Sequence, residues 1–115
     1  MSLRQDIEKY FSNKELTDKD KSKALSAFGE MINLLNKGEV RSAEKRNGAW
    51  QANEWVKKGI LLGFRLGKIE NFSVDHFKFY DKHTFPLKYI KKNDGVRIVP
   101  GGSSIRNGCY VGKGV

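Results

Sequence analysis

The sequence predicts an α+β protein, with a small, mostly helical amino-terminal domain over residues 1–95 and the first coil of a parallel β-helix over residues 96–115. Three observations predict this class. Apolar residues recur at helical spacing behind capping residues, an Asn-Gly pair separates two short extended stretches, and an aliphatic residue returns every sixth position near the carboxyl terminus. A length of 115 residues suits one domain of ordinary size.

The first two elements are predicted to be amphipathic helices with capping residues at their ends. Ser2 can cap a helix over residues 2–11, and Thr17, with an acidic residue three positions later, can cap a second helix. The second helix ends near Lys37, because Gly38 accepts the left-handed conformation of a helix end. Apolar residues share one face of each helix. They are Leu3, Ile7, Tyr10 and Phe11 in the first helix, and Ala24, Leu25, Phe28, Met31, Ile32 and Leu35 in the second.

A β-hairpin is predicted after the second helix. Residues 40–45 and 49–52 are extended stretches on either side of Asn47 and Gly48. Both of these turn residues tolerate a positive φ, which a tight two-residue hairpin turn requires.

The third predicted helix begins after Asn53, which can cap it, and runs to about Leu66. Gly59 and Gly63 are poor helix formers, but at a spacing of four they form one bare stripe where another element can pack closely. The core face of this helix is predicted from the apolar spacing. It would use Trp55 or Val56, together with Ile60, Leu62 and Phe64.

An extended aromatic segment and a polar linker follow the third helix. Four aromatic residues mark the segment, and alternation within it is typical of a strand. They are Phe72, Phe77, Phe79 and Tyr80. Pro86 interrupts the segment, and residues 91–95 form the polar linker.

A six-residue repeat begins after the linker. Aliphatic residues occur at Val99, Ile105 and Val111, and glycines keep the same step three places later, at Gly102, Gly108 and Gly114. A hexad repeat of this kind is the signature of a parallel β-helix, in which each hexad forms one face of a triangular coil. One coil cannot bury its own interior, so we expect the chain to be the amino-terminal part of a longer protein. The alternative is a glycine-rich tail with chance spacing.

The charge balance permits binding to anions but does not predict a nucleic-acid or membrane protein. The chain has 22 Lys and Arg against 13 Asp and Glu, which gives a net charge of +9. These basic residues are dispersed and do not form a stripe with interleaved aromatics, and no apolar run has the length of a membrane span. A solvated basic surface suited to anionic metabolites is the preferred interpretation. A small basic module that binds nucleic acid or another anion is the alternative.

No arrangement of residues predicts a catalytic centre or a metal site. Cys109 is the only cysteine, and His76 and His83 have no partner at metal-ligand spacing. The glycines and serines at residues 100–104 are explained by the hexad register better than by a phosphate-binding loop. We therefore predict no catalytic residue and no bound metal in this chain.

Arg97 is the one candidate binding residue. It lies between Val96 and Ile98 in a segment predicted to be extended and largely buried. A guanidinium among β-branched residues requires an anion, and its planar fork fits a carboxylate. From the sequence, that carboxylate is either a ligand or Asp94.

Several motifs resemble the amino-terminal region of the tetrahydrodipicolinate N-succinyltransferase family. They cover about residues 30–115 and occur in the family's order: Ala43-Glu44-Lys45, Gly48-Ala49-Trp50, the run Trp55-Val56-Lys57-Lys58-Gly59-Ile60-Leu61-Leu62-Gly63-Phe64-Arg65, Val96-Arg97-Ile98-Val99-Pro100 and Ile105-Arg106-Asn107-Gly108. Two departures are visible. Gly59 and Gly63 stand where the family usually has Ala and Ser, and residues 101–104 are one residue longer than the common form.

The resemblance implies an acyltransferase of lysine and diaminopimelate biosynthesis. Such enzymes transfer the succinyl group of succinyl-CoA to the amino group of the acyclic form of tetrahydrodipicolinate, 2-amino-6-oxopimelate. It further implies a cytoplasmic homotrimer with a left-handed parallel β-helix, no permanently bound cofactor, and Arg97 as a substrate-binding residue. The remaining active-site groups would belong to later coils, so this fragment alone should be inactive. Another hexapeptide-repeat acyltransferase with a different acceptor is the further alternative.

Overall fold

A computed structural model describes residues 2–115 and contains three α-helices and two small antiparallel sheets over that range. The predicted α+β class is confirmed. The helices are α1 (Leu3–Ser12), α2 (Asp18–Lys37) and α3 (Glu54–Leu66). The strands are β1 (Ala43–Arg46), β2 (Ala49–Ala52), β3 (Ile69–Asn71) and β4 (Tyr80–Lys82). No helix among residues 2–115 has the length and apolar content needed to cross a membrane.

The predicted caps of the first two helices are present. The Ser2 hydroxyl accepts a hydrogen bond from the Gln5 amide at 3.2 Å, and the Gln5 side chain accepts one from the Ser2 amide at 3.0 Å. The Thr17 hydroxyl likewise accepts from the Asp20 amide at 3.2 Å. Gly38 ends α2 in the left-handed conformation, with φ of 74°. The starts of α1 and α2 and the end of α2 are therefore fixed by local hydrogen bonds that the sequence alone indicates.

The hairpin forms at the predicted turn, but its first strand is shorter than predicted. Asn47 and Gly48 have φ of 52° and 80°, as the tight turn requires. The strand begins at Ala43 rather than at Val40. The reason is that the Val40 amide donates to the Leu34 carbonyl, at 3.3 Å, and so completes the end of α2 instead of a sheet.

The predicted capping role of Asn53 is wrong. Its side chain makes no hydrogen bond to the start of α3. The amide Nδ2 donates to the Arg41 carbonyl at 2.6 Å, and Oδ1 accepts from the Arg46 guanidinium at 2.6 Å. Asn53 is buried, so both halves of its amide are used to hold the hairpin against the helix.

The core lies where the three helices meet. Its largest fully buried side chains are Ile7, Met31, Val56 and Leu62. The predicted glycine stripe on α3 is confirmed: a Cβ added at Gly59 would collide with Met31, and one added at Gly63 would collide with the ring of Phe28. The absence of side chains at these two positions therefore allows α2 to approach α3 closely.

The aromatic segment forms a small sheet that projects its rings into solvent. β3 pairs with β4 in antiparallel register, and an isolated bridge joins Val74 to Phe77. Phe77 and Phe79 stack with ring centroids 6.3 Å apart, and both are more than half exposed. The strand predicted through these two residues is thus confined to β4, which begins at Tyr80.

No β-helix is formed over residues 96–115, which contain turns and no strand. The predicted burial of this segment is also wrong, because Val99 is 74% exposed, Ile98 is 41% exposed and Arg97 is exposed as well. A β-helix is held together by hydrogen bonds between successive coils, and three hexads supply one coil. Val99 consequently has no neighbouring coil to cover it, whereas Ile105 and Val111 are half-buried.

Candidate functional site

Arg97 lies near the start of residues 96–115, the hexad segment. Backbone hydrogen bonds join the beginning of this segment to residues 114–115. The Arg97 amide donates to the Val115 carbonyl at 2.8 Å, and the Gly114 amide donates to the Gly95 carbonyl at 2.7 Å. These two bonds hold residues 95–97 beside residues 114–115. The guanidinium is exposed at this junction and is available to a ligand.

The ion pair between Arg97 and Asp94 that the sequence allows does not form. Within residues 2–115 Arg97 makes no ion pair. The Asp94 carboxylate instead accepts a hydrogen bond from the Lys91 amide at 2.8 Å, within the short 3₁₀ helix Lys92–Asp94. Of the two anions considered for Arg97, the internal one, Asp94, is therefore not paired with it in this structure.

Another basic residue, Lys113, belongs to the segment that is hydrogen-bonded to residues 95–97. Its aliphatic stem crosses Gly95, so that a Cβ added at Gly95 would lie 2.8 Å from Cγ and 3.4 Å from Cε of Lys113. Gly95 has φ of 69°, in the left-handed region, and has no side chain to displace the stem. Two exposed basic residues, Arg97 and Lys113, thus lie on backbone segments that are hydrogen-bonded to each other.

Asn36, near the end of α2, holds the middle of the hexad segment in place. Its Nδ2 donates to the Asn107 side chain at 2.8 Å. Its Oδ1 accepts from the Gly108 amide and from Lys88 Nζ, each at 2.9 Å. All three bonds are partly buried, and they join residues that are far apart in the sequence.

Removal of the Asn36 amide should loosen the hexad segment. We expect Asn36→Ala to lower the free energy of unfolding by about 1–3 kcal/mol, because the Gly108 amide and Asn107 side chain lose partly buried partners. The Gly108 amide should also exchange faster with solvent. Both effects can be measured by chemical denaturation and by amide hydrogen exchange. Asn33→Ala, on the exposed side of the same helix, is the matched control. Equal behaviour of the two variants would contradict the role given to Asn36.

A charged contact fixes the same segment from the other side. Arg106 donates to one oxygen of the Asp81 carboxylate from Nε at 3.2 Å and from Nη2 at 2.8 Å. The hydrogen bond from Arg106 is the largest of the causes that lower the pKa of Asp81 below its usual value. The Arg106 guanidinium also lies 5.2 Å from the centre of the Phe64 ring. Arg106 therefore links the hexad segment to strand β4 and to helix α3.

The described residues contain no cluster of side chains suited to holding a metal ion. No three of the His, Cys, Asp and Glu side chains in residues 2–115 are grouped to hold a metal ion. Cys109 is exposed, and His83 Nδ1 accepts a hydrogen bond from the Lys68 amide at 2.9 Å. A shallow cleft of about 320 Å³ lies between the hairpin and α3. It is lined by Ser42, Ala52, Asn53, Glu54, Lys57, Ile60 and Leu61.

Comparison with known proteins relates most of the chain to one family. Residues 2–66 match the family described as tetrahydrodipicolinate N-succinyltransferase N-terminal. Three proteins named 2,3,4,5-tetrahydropyridine-2,6-dicarboxylate N-succinyltransferase are similar over nearly the whole chain. That of Coxiella burnetii (strain Dugway 5J108-111) is 40% identical over 111 residues, which is 91% of this chain and 40% of the relative.

The other two relatives give the same result. The protein of Alkalilimnicola ehrlichii is 40% identical over 120 residues, covering 97% of this chain and 43% of the relative. The protein of Legionella pneumophila (strain Paris) is 37% identical over 120 residues, covering 97% of this chain and 42% of the relative. The chain thus spans about two fifths of the length of the curated relatives it matches.

Proposed function

The chain belongs to the tetrahydrodipicolinate N-succinyltransferase family, and we propose that it provides the amino-terminal part of an enzyme that transfers a succinyl group from succinyl-CoA to tetrahydrodipicolinate. The observation that carries the proposal is the similarity over 91–97% of the chain to relatives with that name. The reaction belongs to lysine and diaminopimelate biosynthesis.

The proposed chemistry assigns Arg97 to binding and leaves bond making to groups outside the described residues. In the transfer, the amino nitrogen of 2-amino-6-oxopimelate attacks the thioester carbonyl, the carbon–sulfur bond breaks, and the amine loses a proton as the CoA thiol leaves. The acceptor is a dicarboxylate, and a guanidinium binds a carboxylate through two parallel hydrogen bonds. The guanidinium of Arg97, which is exposed and makes no ion pair within residues 2–115, supports this role.

We further propose that residues 96–115 become the first coil of a left-handed parallel β-helix when later coils are present, with the boundary to the helical domain near residue 95. The hydrogen bond from the Arg97 amide to the Val115 carbonyl joins residues three hexads apart, as expected for one full turn of a triangular coil. The exposure of Val99 supports the same assignment, because a second coil would cover it.

The wider properties follow from the same family and remain part of the proposal. The enzyme would be a homotrimer with succinyl-CoA as co-substrate and no permanently bound cofactor. It would act in the cytoplasm, where succinyl-CoA is available. The family match over residues 2–66 favours this acceptor over that of another hexapeptide-repeat acyltransferase, and favours an enzyme over a basic module that binds nucleic acid.

The proposal can be tested by completing the enzyme. We define the completed enzyme as this chain joined at Val115 to the part of the Coxiella burnetii relative that follows the region matched by this chain. It should release CoA from succinyl-CoA only when tetrahydrodipicolinate is present, as followed by thiol release. The 115-residue chain alone should show no turnover, since catalysis needs all reacting groups held together. Turnover by the short chain would contradict this, and a folded but inactive completed enzyme would count against the proposed function.

A further inference from the structure

Lys113 has no place in the function proposed so far, although the backbone brings it next to Arg97. The Gly114 amide bonds to the Gly95 carbonyl and the Arg97 amide bonds to the Val115 carbonyl, so Lys113 precedes a pair of short backbone contacts. Its stem lies over Gly95, two residues before Arg97. The contact limits where the ammonium group can go, because the stem packs along a backbone that has no side chain.

Within residues 2–115 neither cation, Arg97 or Lys113, forms an ion pair. The ion pairs over this range involve Arg4, Arg46 and Arg106. Asp94, the nearest acidic residue in sequence to Arg97, bonds to the Lys91 amide. Two like charges on adjoining backbone segments repel each other, and an anion that binds both removes the repulsion.

We propose that Lys113 is a second acceptor-binding residue, and that it binds one carboxylate of a dicarboxylate while Arg97 binds the other. The inference rests on the proposed function and names a further residue of the same site. Arg97 and Lys113 bind anions in different ways, and a dicarboxylate offers one carboxylate to each. Arginine presents a planar fork to one carboxylate, whereas lysine supplies a mobile point charge that tolerates a range of distances to the second.

An oxyanion at Lys113 has two possible sources in this reaction, a carboxylate of the acceptor and a phosphate of CoA. We assign the carboxylate. The backbone hydrogen bond at 2.8 Å from the Arg97 amide to the Val115 carbonyl brings the two segments together, and the acceptor carries one carboxylate for each of the two cations.

The proposal is tested by binding to the 115-residue chain, without any turnover. Pimelate serves as the dicarboxylate, heptanoate as the monocarboxylate of equal length, and adenosine 3′,5′-bisphosphate as the phosphate probe. Amide shifts of Gly95, Arg97, Lys113 and Gly114 report occupancy. Lys113→Met should weaken pimelate binding about threefold to fivefold, as expected for an exposed pair, and leave heptanoate binding unchanged. Lys113→Arg should retain binding of pimelate, and Lys19→Met, which removes one exposed charge elsewhere, should have no effect.

A second variant tests the position of Lys113 rather than its charge. In Gly95→Ala the new methyl group would displace the Lys113 stem and would also strain a backbone with φ of 69°, so its free energy of unfolding is measured alongside. In the folded variant pimelate binding should weaken although both cations remain. Absence of pimelate-induced shifts at Arg97 and Lys113 would overturn the proposal. So would a Lys113→Met effect confined to the phosphate probe. These readouts need no succinyl transfer. If pimelate binding depends on Lys113 but the completed enzyme is inactive, the proposed function is refuted and the proposed binding site is retained.

Discussion

Replacement of Phe28 by alanine is expected to lower the free energy of unfolding by about 3–5 kcal/mol. The side chain is 5% exposed, and its ring meets that of Phe85 edge to face with centroids 5.2 Å apart. It also lies directly against the bare backbone of Gly63. One ring therefore joins α2, α3 and the segment after β4. A domain of this size is stable by about 5–15 kcal/mol in total, so the variant should lose much of its stability in chemical denaturation.

A double-mutant cycle with Gly63→Ala can test this contact specifically. In the normal chain, Gly63→Ala should destabilise, because overpacking costs about 1–3 kcal/mol and the gain in helix propensity offsets at most about 1 kcal/mol. In the Phe28→Ala background the methyl group enters vacated space, so the same change should stabilise. Gly29→Ala is the matched control, since nothing lies within 4 Å of a Cβ added there. It should stabilise in both backgrounds. Equal effects of Gly63→Ala with and without Phe28 would contradict the contact.

The elements that the sequence predicts well are those whose signals are local. The ends of α1 and α2 depend on residues within one turn, such as Thr17 and Gly38, and the hairpin depends on two adjacent turn residues. The capping role predicted for Asn53 is wrong because local sequence does not decide it. The Asn53 side chain can cap a helix, but two partners in the hairpin compete for the amide, and only the tertiary structure decides between them.

The candidate site is predictable only in part. Arg97 is identifiable because a guanidinium among β-branched residues is unusual in sequence. Asn36 is not identifiable, since its partners Asn107 and Gly108 are 71 and 72 residues away. Asp81 and Lys113 likewise acquire their roles from contacts with distant residues. The burial predicted around Arg97 is wrong, because residues 97–99 are exposed in this structure; in the proposed β-helix, later coils would cover Val99.

The second large effect is expected at Arg97. In the completed enzyme, Arg97→Ala should weaken binding of the acceptor by about one to two orders of magnitude, since a charge-assisted hydrogen bond contributes about 1.5–3 kcal/mol. Arg97→Lys should restore part of this loss, because an ammonium group keeps the charge but cannot form two parallel hydrogen bonds. The affinity for succinyl-CoA should change little. Steady-state kinetics with each substrate varied in turn separates these effects.

Because Arg97 is exposed, its replacement should affect the binding of a ligand and not the stability of the fold. A guanidinium that served the fold would lose an internal partner on substitution, and the variant would unfold more readily. Arg97 has no ion pair within residues 2–115, so Arg97→Ala should retain the normal free energy of unfolding while the acceptor KM rises. A folded Arg97→Ala enzyme with unchanged KM and kcat would remove Arg97 from the acceptor site. A loss of stability without a kinetic change would instead make Arg97 a structural residue of the assembled coil.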